Sequence, residues 1–252
     1  MTQPSTTPPT EGPDRASVDE IRHEHPDVNS GWLRASVFGA MDGLISNFAL
    51  IAGMVGGTAA AGADPGLVVL AGVAGLLGGA FSMAAGEYNS VASQAEYALA
   101  QVAVERREIV RNPRGEAAEL AAMYVAKGVD RRTAELMAEQ IHRDVDQAVA
   151  VHAMEEFGVD PHDVPSPKVA AASSFLSFSA GAAVPLAPYA LGLPSLWLTL
   201  VTTLTALFLC GAIVAKVTIR SWWWSGLRPM MLGGASAAVT YVLGSLVGAG
   251  LG

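Results

Sequence analysis

The stretch 81-FSMAAGEYNSVASQAEYALAQVAVERREIV-110 begins as apolar as a membrane span and ends as charged as a soluble helix. After Gly86 it holds neither Pro nor Gly, so nothing in it interrupts a helical pattern that runs from one environment into the other. What lies on either side decides what such a helix joins. Only 15% of the 252 residues are charged and 51% are hydrophobic, whereas a soluble domain is charged at about a quarter of its positions. The chain therefore reads as a membrane protein.

Crossing a hydrocarbon core of about 30 Å takes roughly 20 apolar helical residues. Five segments qualify: Leu33 to Gly57, Gly66 to Tyr88, Val169 to Tyr189, Leu196 to Val217 and Leu227 to Leu251. Small residues let such helices approach closely, and the spacing GxxxG occurs at Gly39/Gly43, Gly53/Gly57, Gly75/Gly79 and Gly244/Gly248. The loop between the first two segments and the loop between the third and fourth lack Lys and Arg. The other flanks carry Arg22, Arg34, Arg106, Arg107, Lys168, Lys216, Arg220 and Arg228. The positive-inside rule then places the N-terminus and residues 91–166 in the cytosol and the C-terminus outside. In 220-RSWWWSGLR-228, Trp222, Trp223 and Trp224 fit a cytosolic interfacial turn at headgroup level.

Residues 1–30 are rich in Pro, Thr and acid and lack an apolar signal region, as expected of a disordered cytosolic tail. Its His23 and His25 read as solvated. A net charge of −8 leaves no basic stripe for phosphates and excludes nucleic acid as a partner. The lone Cys210, in an apolar run, rules out a disulfide within the chain and reads as a buried small hydrophobe.

Between the second and third spans the apolar positions recur at helical spacing. Asn112, Pro113 and Glu116 make a helix start, Gly128 a stop, and Asp130 caps a further helix running through to Gly158. The expected fold is all-α: transmembrane helices 1 and 2 within residues 31–90, a cytosolic three-helix metal-binding insert in 91–166, and transmembrane helices 3 to 5 in 167–252. The first insert helix continues the second span.

Asp42, in 38-FGAMDGLISNF-48, is a carboxylate inside a span, where ionisable residues are expensive and mark ion paths. Met83 and Glu87 are four apart and share one face of the second span, offering a soft thioether beside a carboxylate. In the insert, Glu105 and Glu108 are three apart, as are Glu116 and Glu119. Each pair shares a helical face, and two such pairs brought together call for a cation, unless the residues are only a solvated acidic face. His152 and Glu156 add nitrogen and oxygen donors on the last helix, with Met154 beside them. The sequence 139-EQIH-142 is a single ExxH, whereas a di-iron bundle site needs two.

At these residues the chain resembles the vacuolar iron transporter (VIT) family of Fe2+ and Mn2+ transporters. The resemblance covers roughly residues 25–250 and rests on FGAMDGLISNFALIAG, SMAAGEYNSVASQAE, SSFLSFSAGAAVPLAPY and AAVTYVLGSLVG, in that order. It implies a homodimer with the transport path at the subunit interface. It also implies Asp42 and Met83 as ligands in that path, with Glu87 near its cytosolic mouth. Glu105, Glu108, Glu116, Glu119 and Glu156 would collect metal in the cytosol. Where family members often have Met near positions 152 and 153, this chain has His152 and Ala153, so the last ligand set departs from the pattern.

The function expected from these readings is export of divalent iron or manganese from the cytosol by proton antiport, for metal homeostasis and detoxification. The bound ions would be the cargo, with no separate cofactor. The rival is a membrane-anchored protein that stores or oxidises iron on its acidic helices. No nucleophile elbow, P-loop or dinucleotide fingerprint is present, so the chain reads as no enzyme. The prokaryotic plasma membrane is the expected location.

Overall fold

The chain enters the bilayer region on α1 (Gly31–Thr58), whose Leu44, Phe48 and Ile51 are fully buried at the centre of the helical packing. The computed structural model describes residues 31–58, 64–216 and 220–251. The tail with His23 and His25 lies outside the described residues. Asp64 then starts α2 (Pro65–Arg111) by accepting a 2.8 Å hydrogen bond from the Gly66 amide, with Pro65 at the first helical position. The stretch from Phe81 to Val110 is continuous as expected: α2 runs 47 residues without a break, about 70 Å at helical rise.

Three short helices follow, α3 (Pro113–Ala126), α4 (Arg131–Ile141) and α5 (Val145–Phe157). Asn112 ends α2 and caps α3, its side chain accepting from the Gly115 amide; Gly128 turns with φ +96°, and Asp130 accepts from the Thr133 amide. These boundaries agree with the sequence reading, but the helix expected to run unbroken from Arg131 to Gly158 does not. It stops at Ile141 and restarts after Asp144, whose carboxylate takes the amides of Asp146 and Gln147. A side chain that satisfies two free amides stabilises a new helix start where apolar periodicity alone predicts a continuing helix.

The remaining helices are α6 (Pro167–Ala190), α7 (Leu196–Val214) and α8 (Trp222–Leu251). The described residues are all helix, turn or irregular, with no strand among them. Helices α1, α2, α6, α7 and α8 are each long and apolar enough to cross a membrane. Two edges differ from expectation. Helix α7 ends at Val214, and α8 begins at Trp222, five residues early, so the three tryptophans form its exposed first turn instead of a separate interfacial turn. The Ser225 amide donates to the Ser221 carbonyl and closes that turn. Cys210 is only partly buried.

Helix α1 packs against α6 and α8, and α2 lies on α6. All four GxxxG pairs sit at such crossings. Gly39 and Gly43 face the α6 backbone at Ser174, Phe178 and Ala182, and Gly53 and Gly57 meet Gly244 and Gly248 of α8. Gly75 faces Leu50 and Asn47, and Gly79 faces the Phe178 ring. At Gly43, Gly244 and Gly248 the facing backbone leaves no room for a Cβ; such close approach is how lipid-embedded helices gain packing energy without a hydrophobic driving force between them.

Candidate functional site

Asp42 lies where α1 and α2 leave a cavity of about 310 Å³, lined also by Ser46, Asn47, Leu50, Gly75, Gly79, Ser82, Met83 and Phe178. Its polar groups converge from neighbouring turns of α1. Ser46, four residues on, donates a 2.8 Å hydrogen bond to Asp42 Oδ1. Asn47 is buried: its Nδ2 donates to the Ala182 carbonyl at 2.7 Å, and its Oδ1 has no hydrogen-bond partner among the described residues. Buried oxygens are normally satisfied. This one lies at a cavity that also holds a carboxylate, a serine hydroxyl and the Met83 thioether.

Asp42 and Met83, expected to share a path, therefore do line one cavity. Glu87, one turn beyond Met83, is not among its lining residues. Glu87 is 8% exposed, and Arg34 of α1 donates to its Oε2 at 2.8 Å. Sequence reasoning misses Asn47 and Ser46, since a neutral amide or hydroxyl in a span is usually packing. The usable signal is their spacing from Asp42.

The second cluster lies where the far half of α2 meets α5. Ile109 of α2 packs with Ala148 and Val149 of α5, and Arg106 pairs with Asp146 across the same contact. On the α3 side, Lys127 pairs with Glu155. Between these ties Glu105, His152 and Glu156 offer three ligand atoms, all within 4.8 Å of one another. His152 is fully buried; its Nδ1 is 2.9 Å from Glu156 Oε1 and 3.0 Å from Glu105 Oε1. One ring proton can serve only one of them. Glu156 takes the hydrogen bond, and Glu105 Oε1 is left buried without one.

Burial raises the pKa of Glu105, and Glu156, Glu116 and Glu119 push it further up while His152 pulls it down. Burial also raises Glu116, reinforced by Glu119, Glu156 and Glu108 and opposed by His152. Glu116 and Glu119 of α3 thus lie near enough to Glu105 to act on it, and the ligand atoms brought within 4.8 Å of one another are those of Glu105, His152 and Glu156. Met154 is not brought in. It stands two residues from His152, on the opposite side of α5, and is 49% exposed.

His142, which the sequence offers only as part of a lone ExxH, lies in the break before α5. It packs edge to face on His152, with ring centroids 5.1 Å apart. Its Nδ1 is 2.9 Å from the Ala138 carbonyl. Burial lowers its pKa, the Ala138 bond raises it, and His152 lowers it again. No spacing along the chain marks this pairing, because it is a tertiary contact made across the turn between α4 and α5.

Five helices long and apolar enough to cross a membrane, with a carboxylate-bearing cavity where α1, α2 and α6 meet, define a helical integral membrane protein, one whose second helix also contributes Glu105 to the cluster with His152 and Glu156. The chain belongs to the VIT family, whose model matches residues 33–245. It is similar to a vacuolar iron transporter of Acanthamoeba castellanii, 37% identical over 170 residues that cover 68% of this chain and 60% of that protein. A vacuolar iron transporter of Toxoplasma gondii is 29% identical over 245 residues, 92% of this chain and 80% of that one. Vacuolar iron transporter 1 of Arabidopsis thaliana is 28% identical over 221 residues, 85% and 86% of the two chains.

Proposed function

We propose that this protein transports divalent iron or manganese out of the cytosol, with protons moving the other way. The observation that carries this reading is that one uninterrupted helix, α2, holds both Met83 at the cavity and Glu105 at the carboxylate cluster. The two are 22 positions apart, about 33 Å along a helix. An anchor would need only one or two spans and no intramembrane carboxylate. The names of the relatives support iron as cargo.

In this reading the insert, residues 91–166, is cytosolic. Glu105, Glu108, Glu116, Glu119 and Glu156 collect the ion there, with His152 supplying nitrogen. Carboxylate oxygen alone does not separate Mn2+ and Fe2+ from Mg2+; the imidazole and the Met83 thioether favour the transition metals. Asp42, the Asn47 Oδ1 atom and Met83 form the intramembrane station. Asp42 releases a proton to bind the ion and takes one up when the ion leaves, which couples the two fluxes. Arg34 holds Glu87 in place at the cytosolic mouth. The protein works as a homodimer in a prokaryotic plasma membrane, with residues 1–30 cytosolic and the C-terminus outside, and serves metal detoxification.

The test is metal flux in proteoliposomes with Fe2+ or Mn2+ at the cytosolic face and an imposed proton gradient. Flux in the unsubstituted protein that is lost in Asp42→Ala and stripped of its pH dependence in Asp42→Asn is the expected result. Absence of flux together with metal-dependent oxygen consumption that survives Asp42→Ala would instead establish the storing or oxidising function.

A further inference from the structure

Asp163 is the last acidic residue of the chain; none of residues 164–252 is Asp or Glu, yet they carry Lys168, Lys216, Arg220 and Arg228. In a protein of net charge −8 this end is locally basic. Two of the four cations meet. Arg220 and Arg228 both line one cavity of about 220 Å³ between the end of α7 and the start of α8. Neither makes an ion pair or a side-chain hydrogen bond among the described residues. The other helix in the cavity wall is α1, through Met41, and its single acid, Asp42, lines the ion cavity instead. The side chains of this cavity thus supply two positive charges and no negative one.

The cavity is held open by packing that does not involve the arginines. Gly211 of α7 lies against the Ser225 carbonyl of α8, and Gly226 lies against the Phe208 ring. Phe208 in turn meets Trp222 edge to face, with ring centroids 6.0 Å apart. These contacts fix the first turn of α8 on α7 and leave Trp224 and Ser225 in the cavity wall beside the arginines. The site also lies where two membrane-crossing helices end and begin, and a bilayer has its phosphates at that level. Trp222, Trp223 and Trp224 are all exposed there, as tryptophans are at a headgroup boundary.

We propose that Arg220 and Arg228 seat the phosphate of an anionic phospholipid headgroup in this cavity. Guanidinium forks match phosphate oxygens in pairs of hydrogen bonds, and basic pockets between spans are where anionic headgroups bind. A zwitterionic headgroup brings its own ammonium toward the same two cations, so the net charge of the lipid is selected. Acyl chains find apolar surface close by, since Leu209 and Ile213, two positions to either side of Gly211, are exposed. Free phosphate shares the oxyanion but gains nothing from that surface. Because α1, α7 and α8 all contribute to the wall, the bound headgroup ties the helix that carries Asp42 to the last two spans.

The test is native mass spectrometry of the full chain in a neutral detergent, titrated with phosphatidylglycerol or with phosphatidylcholine of the same acyl chains. Phosphatidylglycerol should bind several times more tightly. Arg220→Gln and Arg228→Gln should each weaken it about fivefold, and the double variant about twentyfold or more, while phosphatidylcholine is unaffected. Lys168→Gln, an exposed cation at the end of another span, should leave both lipids within about twofold and so controls for general attraction. Equal binding of the two lipids by the unsubstituted protein, a comparison that needs no variant, would overturn the site. So would a double variant that binds phosphatidylglycerol like the unsubstituted chain. In thermal unfolding, phosphatidylglycerol should raise the melting temperature of the unsubstituted protein more than that of the double variant. Inorganic phosphate should do neither, and a rise as large with phosphate alone would show a site for the free anion in place of the lipid. None of these outcomes bears on flux through Asp42, so this inference and the transport reading fall separately.

Discussion

Arg34 of α1 donates to Glu87 of α2 at 2.8 Å, joining a carboxylate that is almost wholly buried to a guanidinium whose side chain is 64% exposed. The asymmetry sets what each substitution does. Arg34→Ala strands a buried carboxylate, and losing a hydrogen bond to a charged group costs about 1.5–3 kcal/mol. Glu87→Gln removes the buried charge itself and leaves an arginine that water can solvate, so it costs under about 1 kcal/mol. Thermal unfolding in detergent should rank Arg34→Ala well below Glu87→Gln. Equal melting of the two would mean that Glu87 is solvated in the protein and that the pair does not hold it.

The glycines give a matched comparison. A Cβ on Gly43 or Gly244 would strike the backbone of α6 or of α1, which cannot step aside, whereas one on Gly78 meets nothing within 4 Å. Gly43→Ala and Gly244→Ala should therefore each destabilise by several kcal/mol, in the range of overpacked cores or beyond. Gly78→Ala should be neutral or stabilising by up to about 1 kcal/mol, through helix propensity. If Gly244→Ala melted with the unsubstituted protein, the α1–α8 crossing would have to be looser than this.

Whether a feature of this protein is legible in its sequence depends on whether the feature is local. The five spans, the continuity of α2 and the caps at Asn112 and Asp130 follow from short-range pattern, and the observed helices agree with each. The GxxxG pairs mark the crossings because close approach needs a missing side chain on a single helix. The break before α5 is also local yet escapes the sequence reading: Asp144 followed three positions later by Gln147 has the spacing of a capping box. Apolar periodicity on both sides outweighs it. The burial of Asn47 and the contact of His142 with His152 are tertiary, and no spacing along the chain encodes them.

Acidity should separate the metal-free and metal-bound insert. Glu105 and Glu116 have raised pKa values, so relative to the unfolded chain they contribute stability below the ordinary glutamate value of 4.5 and lose it as pH rises through their folded values. In chelator, Glu105→Gln should gain stability over the unsubstituted chain as pH climbs from 4.5 toward neutrality. Saturating Mn2+ should reverse the order, because the cation neutralises the same carboxylates, and its affinity should fall as pH drops and protons compete. Melting curves of the two proteins, with and without Mn2+, measure this. A difference that is flat with pH in chelator would show that neither burial nor the neighbouring glutamates raise Glu105 in the folded protein.

The break before α5 makes a prediction that links its cap to the cluster. The Asp144 carboxylate accepts from the Asp146 amide at 2.8 Å and from the Gln147 amide at 3.3 Å, and the helix it starts carries His152 and Glu156. Losing such a cap costs about 1 kcal/mol, whereas Asn in its place caps almost as well. Fraying at the start of α5 loosens the hold of Arg106 on Asp146 and of Ile109 on Val149, the contacts that set His152 and Glu156 against Glu105. Asp144→Ala should therefore lower both the melting temperature and the Mn2+ affinity of the cluster, the affinity severalfold, while Asp144→Asn keeps both near the unsubstituted values. Equilibrium binding followed by the free Mn2+ resonance signal distinguishes them. Equal affinity in the two variants would mean that α5 is placed by its apolar contacts alone, with the cap setting only where the helix begins.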